Sequence, residues 1–313
     1  MAELARESII LRKFLDASER GDLYSRHRRG ELVQLHAGAY VNSEFWNSLN
    51  DDARHRALAQ AVAAHFGDAL VFSHLTAAAL WRLPRVGNWP HKPHLVGPKS
   101  AGVGGVTSFV RHAVGVPSTR QSIDGVLVTT LGATVVDVAA SVGFAHGVVL
   151  ADAALRRAEH AVAGAPLAAT TREELRRELA RIAPTHGAVK ASRVVEFADG
   201  RADRPGESLS RVSMRLAHVP PPELQVRMVG ASGRVYFVDF WWEEFNLIGE
   251  FDGKYKYTDP EILRGRSPQQ VVYDEKLRED DLRAADHRFS RWPWTIAVSP
   301  ALLKAHLATA GVK

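Results

Sequence analysis

Apolar positions along the chain follow two periods, one near 3.6 residues and one of two. The helical spacing predicts helices over Ser8–Ala17, Asp51–Phe66, Leu75–Trp81, Gly132–Ser141, Gly147–Glu159 and Gly187–Ala198. In Asp51–Phe66 the inward stripe would be Leu58, Val62 and Phe66. Thr171 and Glu174 form a capping-box pair for a helix ending near Ile182. Strand-like pieces fall at Leu32–Leu35, Ala39–Val41, His94–Val96, Thr107–His112 and Gly125–Thr129. The C-terminal third reads as helix (from about Gly206, with Leu209, Val212 and Leu216 inward), then three strands, Leu224–Val229, Val235–Trp242 and Leu247–Phe251. A charged helix, Gln269–Ala285, a strand, Phe289–Trp292, and a closing helix, Pro300–Ala308, complete it.

Two of those strands carry acids where buried strands should not. Asp239 interrupts VYFVDFWW, and Glu250 and Asp252 end the next run, with Lys254 at the following alternate position. An ionised carboxylate costs several kcal/mol to bury unless a partner or a metal compensates it. Alternation places Ile248, Glu250, Asp252 and Lys254 on one face and Leu247, Gly249 and Phe251 on the other. Acids converging at strand ends beside a lysine suit a hard cation that assists phosphodiester cleavage. Plainer accounts stand beside this one. Asp239 could be a buried acid paired with Lys254 or Lys256. Glu207 favours a helix N-terminus and can pair with Arg211. Lys276 has Asp280 four residues on, in a face where Asp274–Arg278 and Glu279–Arg283 repeat that spacing.

Other signals are weak. Gly102–Gly105 is followed by no GK[ST], so a phosphate loop is not expected. His91 and His94 have ligand-like spacing without a third ligand nearby, and His74 reads as a cap or core contact. Trp241, Trp242 and Phe245 are expected to pack in the core rather than stack on bases.

Length and composition bound these readings. The 313 residues suggest two or three domains. The 46% hydrophobic and 24% charged content is that of an ordinary globular chain. A net charge of +5 permits a polyanionic partner without requiring one. The absence of cysteine excludes disulfides and thiolate zinc sites. No apolar run reaches the roughly 18–20 residues of a membrane span, and MAELARESIILRKF lacks a positive-then-apolar signal pattern. The expected location is the cytoplasm, with no membrane partner.

At the N-terminus, a helix is followed by a basic segment with Arg20, Arg26, Arg28 and Arg29, then a small hairpin. That is the order of a winged helix-turn-helix, which sets a basic helix in the major groove and a wing over the phosphates. The alternative is a small helical cap with solvated arginines. The phrase RRGELVQLHAGAYV resembles the "GxLvrlrrGvY" wing of AbiEi-type antitoxin proteins over about 40 residues. SHLTAAALWRLP, TTLGATVVDVA and ADAALRRA resemble the middle part of large actinobacterial proteins that join an AbiEi-like front to a nuclease-like back. An arginine often found in that family before the threonine of the TTLGATVVD phrase is Ala133 here, so its role does not carry over.

Helix, three antiparallel strands, helix, strand is the order of the PD-(D/E)xK nuclease core. VDFWWEEFNLIGEFDGKYKY and DEKLREDDLRAADHRFSRW resemble the very-short-patch-repair-like endonuclease domains over about residues 200–300. The motif fits in two registers, Asp239 with Asp252-Gly253-Lys254 or Asp239 with Glu250-Phe251-Asp252. Asp286-His287 departs from the glycine usual after the helix, which affects the turn and not the chemistry.

The resemblance implies an α+β multidomain chain: a winged helix-turn-helix over 1–45, a middle α+β domain over 46–160, a helical linker over 161–199, and a restriction-endonuclease-like α/β core over 200–313. It implies metal-dependent hydrolysis with Mg²⁺ or Mn²⁺ held by Asp239, Glu250 and Asp252. Lys254 would orient water or stabilise the phosphorane, Glu207 would add an outer contact, and Lys276 would touch the scissile phosphate. Double-stranded DNA is the expected partner, with RNA a weaker candidate. A homodimer and a cognate toxin stay open, as does a setting in phage defence or a toxin–antitoxin-like locus. The rival function is a non-enzymatic antitoxin or repressor that uses the nuclease fold as a binding platform.

Overall fold

The computed structural model describes residues 8–67, 69–98, 105–106, 108–115, 117–159, 168–182, 187–253 and 267–312. They form a mixed α+β structure with three sheets. The chain divides into two compact units, one within 1–154 and 161–197, the other within 155–160 and 198–313. Among the described residues no helix is long and apolar enough to cross a membrane.

The first unit opens with β1 (Ile10–Leu11), a 3₁₀ turn at Arg12–Phe14, and α1 (Ala17–Arg28). A hairpin of β2 (Leu32–His36) and β3 (Ala39–Asn42) follows, and β1 joins it on the β3 side. The helix expected over Ser8–Ala17 is therefore not formed. Ile10 and Leu11 pair with Tyr40 and Ala39. Ile9 and Leu11 enter one core layer with Ala39 and Val41, while Ile10 packs on the other with Leu23 and Tyr40. That is a period of two, as β-branched side chains prefer. Asp16 and Glu19 then close a reciprocal capping box that fixes the start of α1.

Two helices, α2 (Ser43–Ser48) and α3 (Asp51–Phe66), lead to a six-stranded sheet. The stripe expected on α3 is only partly realised: Val62 is buried, but Phe66 is 45% exposed. Its alanines make the close contacts instead, with Ala57, Ala59, Ala61 and Ala63 all buried. The sheet contains β4 (Val71–Phe72), β5 (His94–Val96), β6 (Gly105–Val106), β7 (Phe109–His112), β8 (Arg120–Ile123) and β9 (Val126–Thr129) in the order β6-β7-β5-β4-β9-β8. Between β4 and β5 comes α4 (His74–Leu80), and after β9 come α5 (Leu131–Ser141), α6 (Phe144–Glu159), α7 (Arg172–Ile182) and α8 (Ala188–Phe197). The reciprocal bonds of the Thr171–Glu174 box are present, at 3.0 and 3.2 Å. Most of the glycine-rich stretch 102–105 and of the linker 161–170 lies outside the described residues.

The second unit runs α9 (Pro205–Leu216), β10 (Glu223–Val229), β11 (Val235–Trp242), β12 (Leu247–Asp252), α10 (Pro268–Ala284), β13 (Arg288–Pro293), α11 (Trp294–Ala297) and α12 (Pro300–Thr309). The strands lie side by side in chain order. Antiparallel pairing joins β10 to β11 and β11 to β12, and β13 runs parallel to β12. One face of the sheet buries Met214, Phe240, Leu247, Phe251, Trp292, Leu303 and Leu307. The other packs Met228, Val238 and Ile248 against Leu282 of α10. Trp242 is buried and Trp241 and Phe245 pack beside the core clusters, so these aromatics are structural.

Candidate functional site

Strand β11 changes face in its middle. Val238 packs on the α10 side, while Phe240, two residues on, packs with α9 and α12. The irregular level holds Asp239, and across from it Gln225 adopts a φ of 50°, a left-handed conformation rare for a residue with a Cβ. The β11–β12 ladder begins at Trp242–Leu247 and its last pair is Phe240–Gly249. Just past that pair, Asp239 Oδ2 accepts the amide of Phe251 at 3.0 Å. A carboxylate thus takes a ladder donor where the strands part.

Glu207 comes to the same place from α9. It is in the first turn of that helix, 3% exposed, and accepts the Asp203 amide at 2.8 Å and Gln225 Nε2 at 3.2 Å. Gly206 makes this approach possible: a Cβ there would fall 2.0 Å from the Phe251 ring. Burial holds the Glu207 carboxyl well above the usual carboxylate range, and the negative charge of Asp239 adds to that; the Asp203 amide pulls the other way. Asp252 follows Phe251, and its Oδ1 is buried with no hydrogen-bond partner among the described residues.

The expected site residues therefore divide. Asp239, Glu207 and the Phe251–Asp252 peptide segment share one end of the sheet. Glu250 is elsewhere engaged: it is 3% exposed, with Arg278 at 2.6 Å and Arg291 at 3.0 Å. Arg291 also contacts Glu279 at 3.0 Å, so the α10 face carries a linked ion network. Lys276 is exposed on α10. Lys254 and Lys256, and with them the lysine pairing considered for Asp239, lie outside the described residues. Arg20, Arg28 and Arg29 are exposed on and just after α1, with Arg26 half-buried. Glu31 engages Arg29 at 2.6 Å and Arg26 at 3.4 Å.

Sequence reasoning missed Gln225, Arg278 and Arg291. A glutamine inside the run LQV, and an arginine inside FSRW, were the available signals. It also missed a histidine cluster in the first unit. His74 stacks on His112 with ring centres 3.6 Å apart, and His112 Nε2 lies 3.1 Å from His94 Nδ1. Thr76 Oγ1 accepts the His94 amide at 2.8 Å and is 2.9 Å from His55 Nε2. Burial depresses all four imidazoles: His55 and His94 to about 4, His74 to about 2, and His112 below its ordinary value.

Among the described residues, no group of three or more carboxylates and imidazoles could hold a metal ion. The three-carboxylate set of Asp239, Glu250 and Asp252 is not assembled. Asp239 and Asp252 offer oxygen donors only, the kind a hard cation takes, and Asp252 Oδ1 has no hydrogen-bond partner among the described residues. Mg²⁺ is commonly held by one or two carboxylates together with water and substrate phosphates.

A scan against models of known protein families finds no match. Two curated relatives come from Mycobacterium tuberculosis, "Uncharacterized protein Rv2248" of strain H37Rv and "Uncharacterized protein MT2308" of strain CDC 1551 / Oshkosh. Each is 32% identical over 148 residues, which covers 47% of this chain and 51% of the relative. The chain thus spans about half the length of the curated relatives it matches.

Proposed function

We propose that the C-terminal unit is a phosphodiester hydrolase of the PD-(D/E)xK kind, on a chain that binds DNA through its basic N-terminal module. The observation that carries this reading is the junction of Asp239 with the Phe251 amide, beside buried Glu207 and ahead of the unsatisfied Asp252 oxygen. Placing half-buried Asp239 beside the buried Glu207 is costly, and a carboxyl with a strongly shifted pKa is a frequent mark of a functional site. The element order, with its last strand parallel to the third, supports the same reading.

Asp239 and Asp252 would hold a divalent cation. A bound Mg²⁺ or Mn²⁺ supplies a water of lowered pKa and neutralises charge on the phosphate. The Phe251 amide fixes one Asp239 oxygen and orients the carboxylate. Glu207, biased toward its protonated form, would hold a proton beside Asp239. Lys254 would orient water or stabilise the phosphorane. The biological setting in phage defence or a toxin–antitoxin-like locus belongs to this proposal, and so do a dimer, a toxin partner and RNA as a substrate.

One observation favours a second reading, a non-enzymatic DNA-binding regulator. Glu250 is locked into an arginine network, and a third acid ligand is not assembled among the described residues. Incubating the protein and its Asp239→Asn variant with supercoiled, linear and single-stranded DNA in Mg²⁺, Mn²⁺ or EDTA separates the two. Metal-dependent cleavage lost in the variant supports the hydrolase. DNA that both proteins shift equally and neither cuts supports the regulator.

A further inference from the structure

A second concave site lies at the outer edge of the four-stranded sheet, between β13 and α12. Its volume is about 570 Å³, within the range of small-ligand pockets. Arg283, Arg288, Arg291, His287 and His306 line it, against one carboxylate, Asp286. The cations are not equivalent. Glu279 engages Arg283 at 2.7 Å and Arg291 at 3.0 Å. Arg288 instead donates to a neutral group, the Ala310 carbonyl, at 2.7 Å. Its guanidinium also lies close over Gly311, where a Cβ would fall 3.2 Å from Nη1. The arginine is thereby fixed in place by a group that does not cancel its charge.

Polar groups surround it. Ser290 Oγ and His306 Nε2 are 3.0 Å apart, and Asn246 Oδ1 lies 2.9 Å from His287 Nδ1. Asn246 Oδ1 accepts, so His287 Nδ1 carries the proton and its neutral ring presents an acceptor, whereas His306 can donate from Nδ1 when Ser290 Oγ–H gives to its Nε2. Arg288 gives its amide to Asn246 O at 3.0 Å, toward β12. Alternation along a parallel strand then turns the amides of Phe289 and Arg291 to the open edge. Fixed guanidinium and edge amide donors, joined by His306 where Ser290 Oγ–H gives to its Nε2, are the chemistry that recognises a phosphate group.

We propose that this pocket binds a phosphate-bearing ligand of nucleotide size, either a free nucleotide or one unit of a nucleic-acid strand. The assignment does not depend on the hydrolase reading. Titration calorimetry on the full chain carrying Asp239→Asn tests it with inorganic phosphate, a 5′-mononucleotide and a short oligonucleotide, matched in ionic strength and repeated at a low and a high salt concentration. Chloride and acetate serve as controls. The expected result is saturable binding of the mononucleotide that weakens at least tenfold in Arg288→Gln and in Thr309→Glu. Thr309 is exposed at the rim, so its substitution adds a repelling charge while leaving the Arg288–Ala310 bond in place. That variant decides the matter if Arg288→Gln fails to fold. Equal binding of mononucleotide and oligonucleotide assigns the free nucleotide. Tighter, salt-dependent binding of the oligonucleotide that Thr309→Glu weakens assigns the strand. Binding no stronger than that of chloride or acetate overturns the proposal, as does binding that both variants leave unchanged.

Discussion

Arg278 Nη1 stands 2.6 Å from Glu250 Oε1, and this pair joins a strand to a helix 28 residues away in sequence. Glu250 is 4% exposed at its side chain, and Arg278 is 23% exposed. Removing the acid takes the charge partner from Arg278, which is part exposed, while Arg291 keeps Glu279 at 3.0 Å. Breaking a fully buried pair costs on the order of 3–5 kcal/mol, and the exposure of Arg278 and the second partner of Arg291 reduce that here. Glu250→Gln is therefore expected to destabilise the second unit by roughly 1–3 kcal/mol in EDTA, as read by urea unfolding. A metal ligand would behave differently: its removal would leave the metal-free protein as stable as before, or more so.

Glu207 makes a prediction of opposite sign. Burial and the Asp239 charge raise its folded-state pKa well above 4.5, so between pH 4.5 and that higher value the folded chain binds a proton that the unfolded chain releases. Stability from this group is fully present below pH 4.5 and declines as pH rises through the folded value. Glu207→Gln keeps an acceptor for the Asp203 amide and removes the ionisation. It should raise stability at pH 7.5, with a smaller change at pH 5. Denaturant midpoints at the two pH values check this. An equal loss of stability at both would place the role of Glu207 in packing alone.

What the sequence made legible was local. The Thr171–Glu174 box, the apolar runs of β11 and β12, and the helix–strand order after Gly206 depend on neighbours within a few residues. Partners far apart in the chain were not legible. Arg278 has an acid four residues before it, Asp274, which is what helical spacing offers; its contact with Glu250 exists only once α10 lies on β12. Ile9 and Ile10 fit a helical period as well as a strand one, and only pairing with Tyr40 and Ala39 decides between them. The Asp239 site was visible as an anomaly, an acid in an apolar strand. Gln225, which completes it, was hidden because a polar residue in a seven-residue strand is unremarkable until its φ is known.

The histidine cluster predicts an acid limit for the first unit. His55 and His94 have folded pKa values of about 4 and His74 of about 2, against 6.5 unfolded. Below pH 6.5 the unfolded chain gains protons that the folded cluster refuses, so stability is lost as pH falls toward 4. Aspartate and arginine neighbours act on the cluster too: Asp52 favours a charged His55, whereas Arg85 and Arg56 oppose it, and Arg181 opposes a charged His74. Each pH unit over which His55 stays neutral while its unfolded counterpart is charged removes about 1.4 kcal/mol, so this residue alone accounts for about 3 kcal/mol by pH 4. Hydrogen exchange resolved by peptide should show residues 51–112 losing protection between pH 6.5 and 4.5 before the C-terminal strands do. His112→Gln, which can still bond His94, should reduce that loss. Uniform loss across both units would remove the cluster as its cause.

The N-terminal arginines separate by their partners. Glu31 engages Arg29 at 2.6 Å and Arg26 at 3.4 Å, while Arg20 and Arg28 are exposed on α1. A phosphate must compete with Glu31 for the first two and not for the others. If α1 binds DNA, Arg20→Gln and Arg28→Gln should each weaken binding tenfold or less. Each should also lower the salt dependence of log K by roughly 0.9 for every phosphate it no longer neutralises. Arg26→Gln and Arg29→Gln should matter less. Glu31→Gln releases both of its arginines and should strengthen binding while steepening the salt dependence. Fluorescence anisotropy with a labelled duplex between about 50 and about 200 mM salt measures all five variants in one series. Equal, salt-independent affinities across the series would remove α1 from the DNA-binding surface and leave the C-terminal unit to carry any nucleic-acid contact.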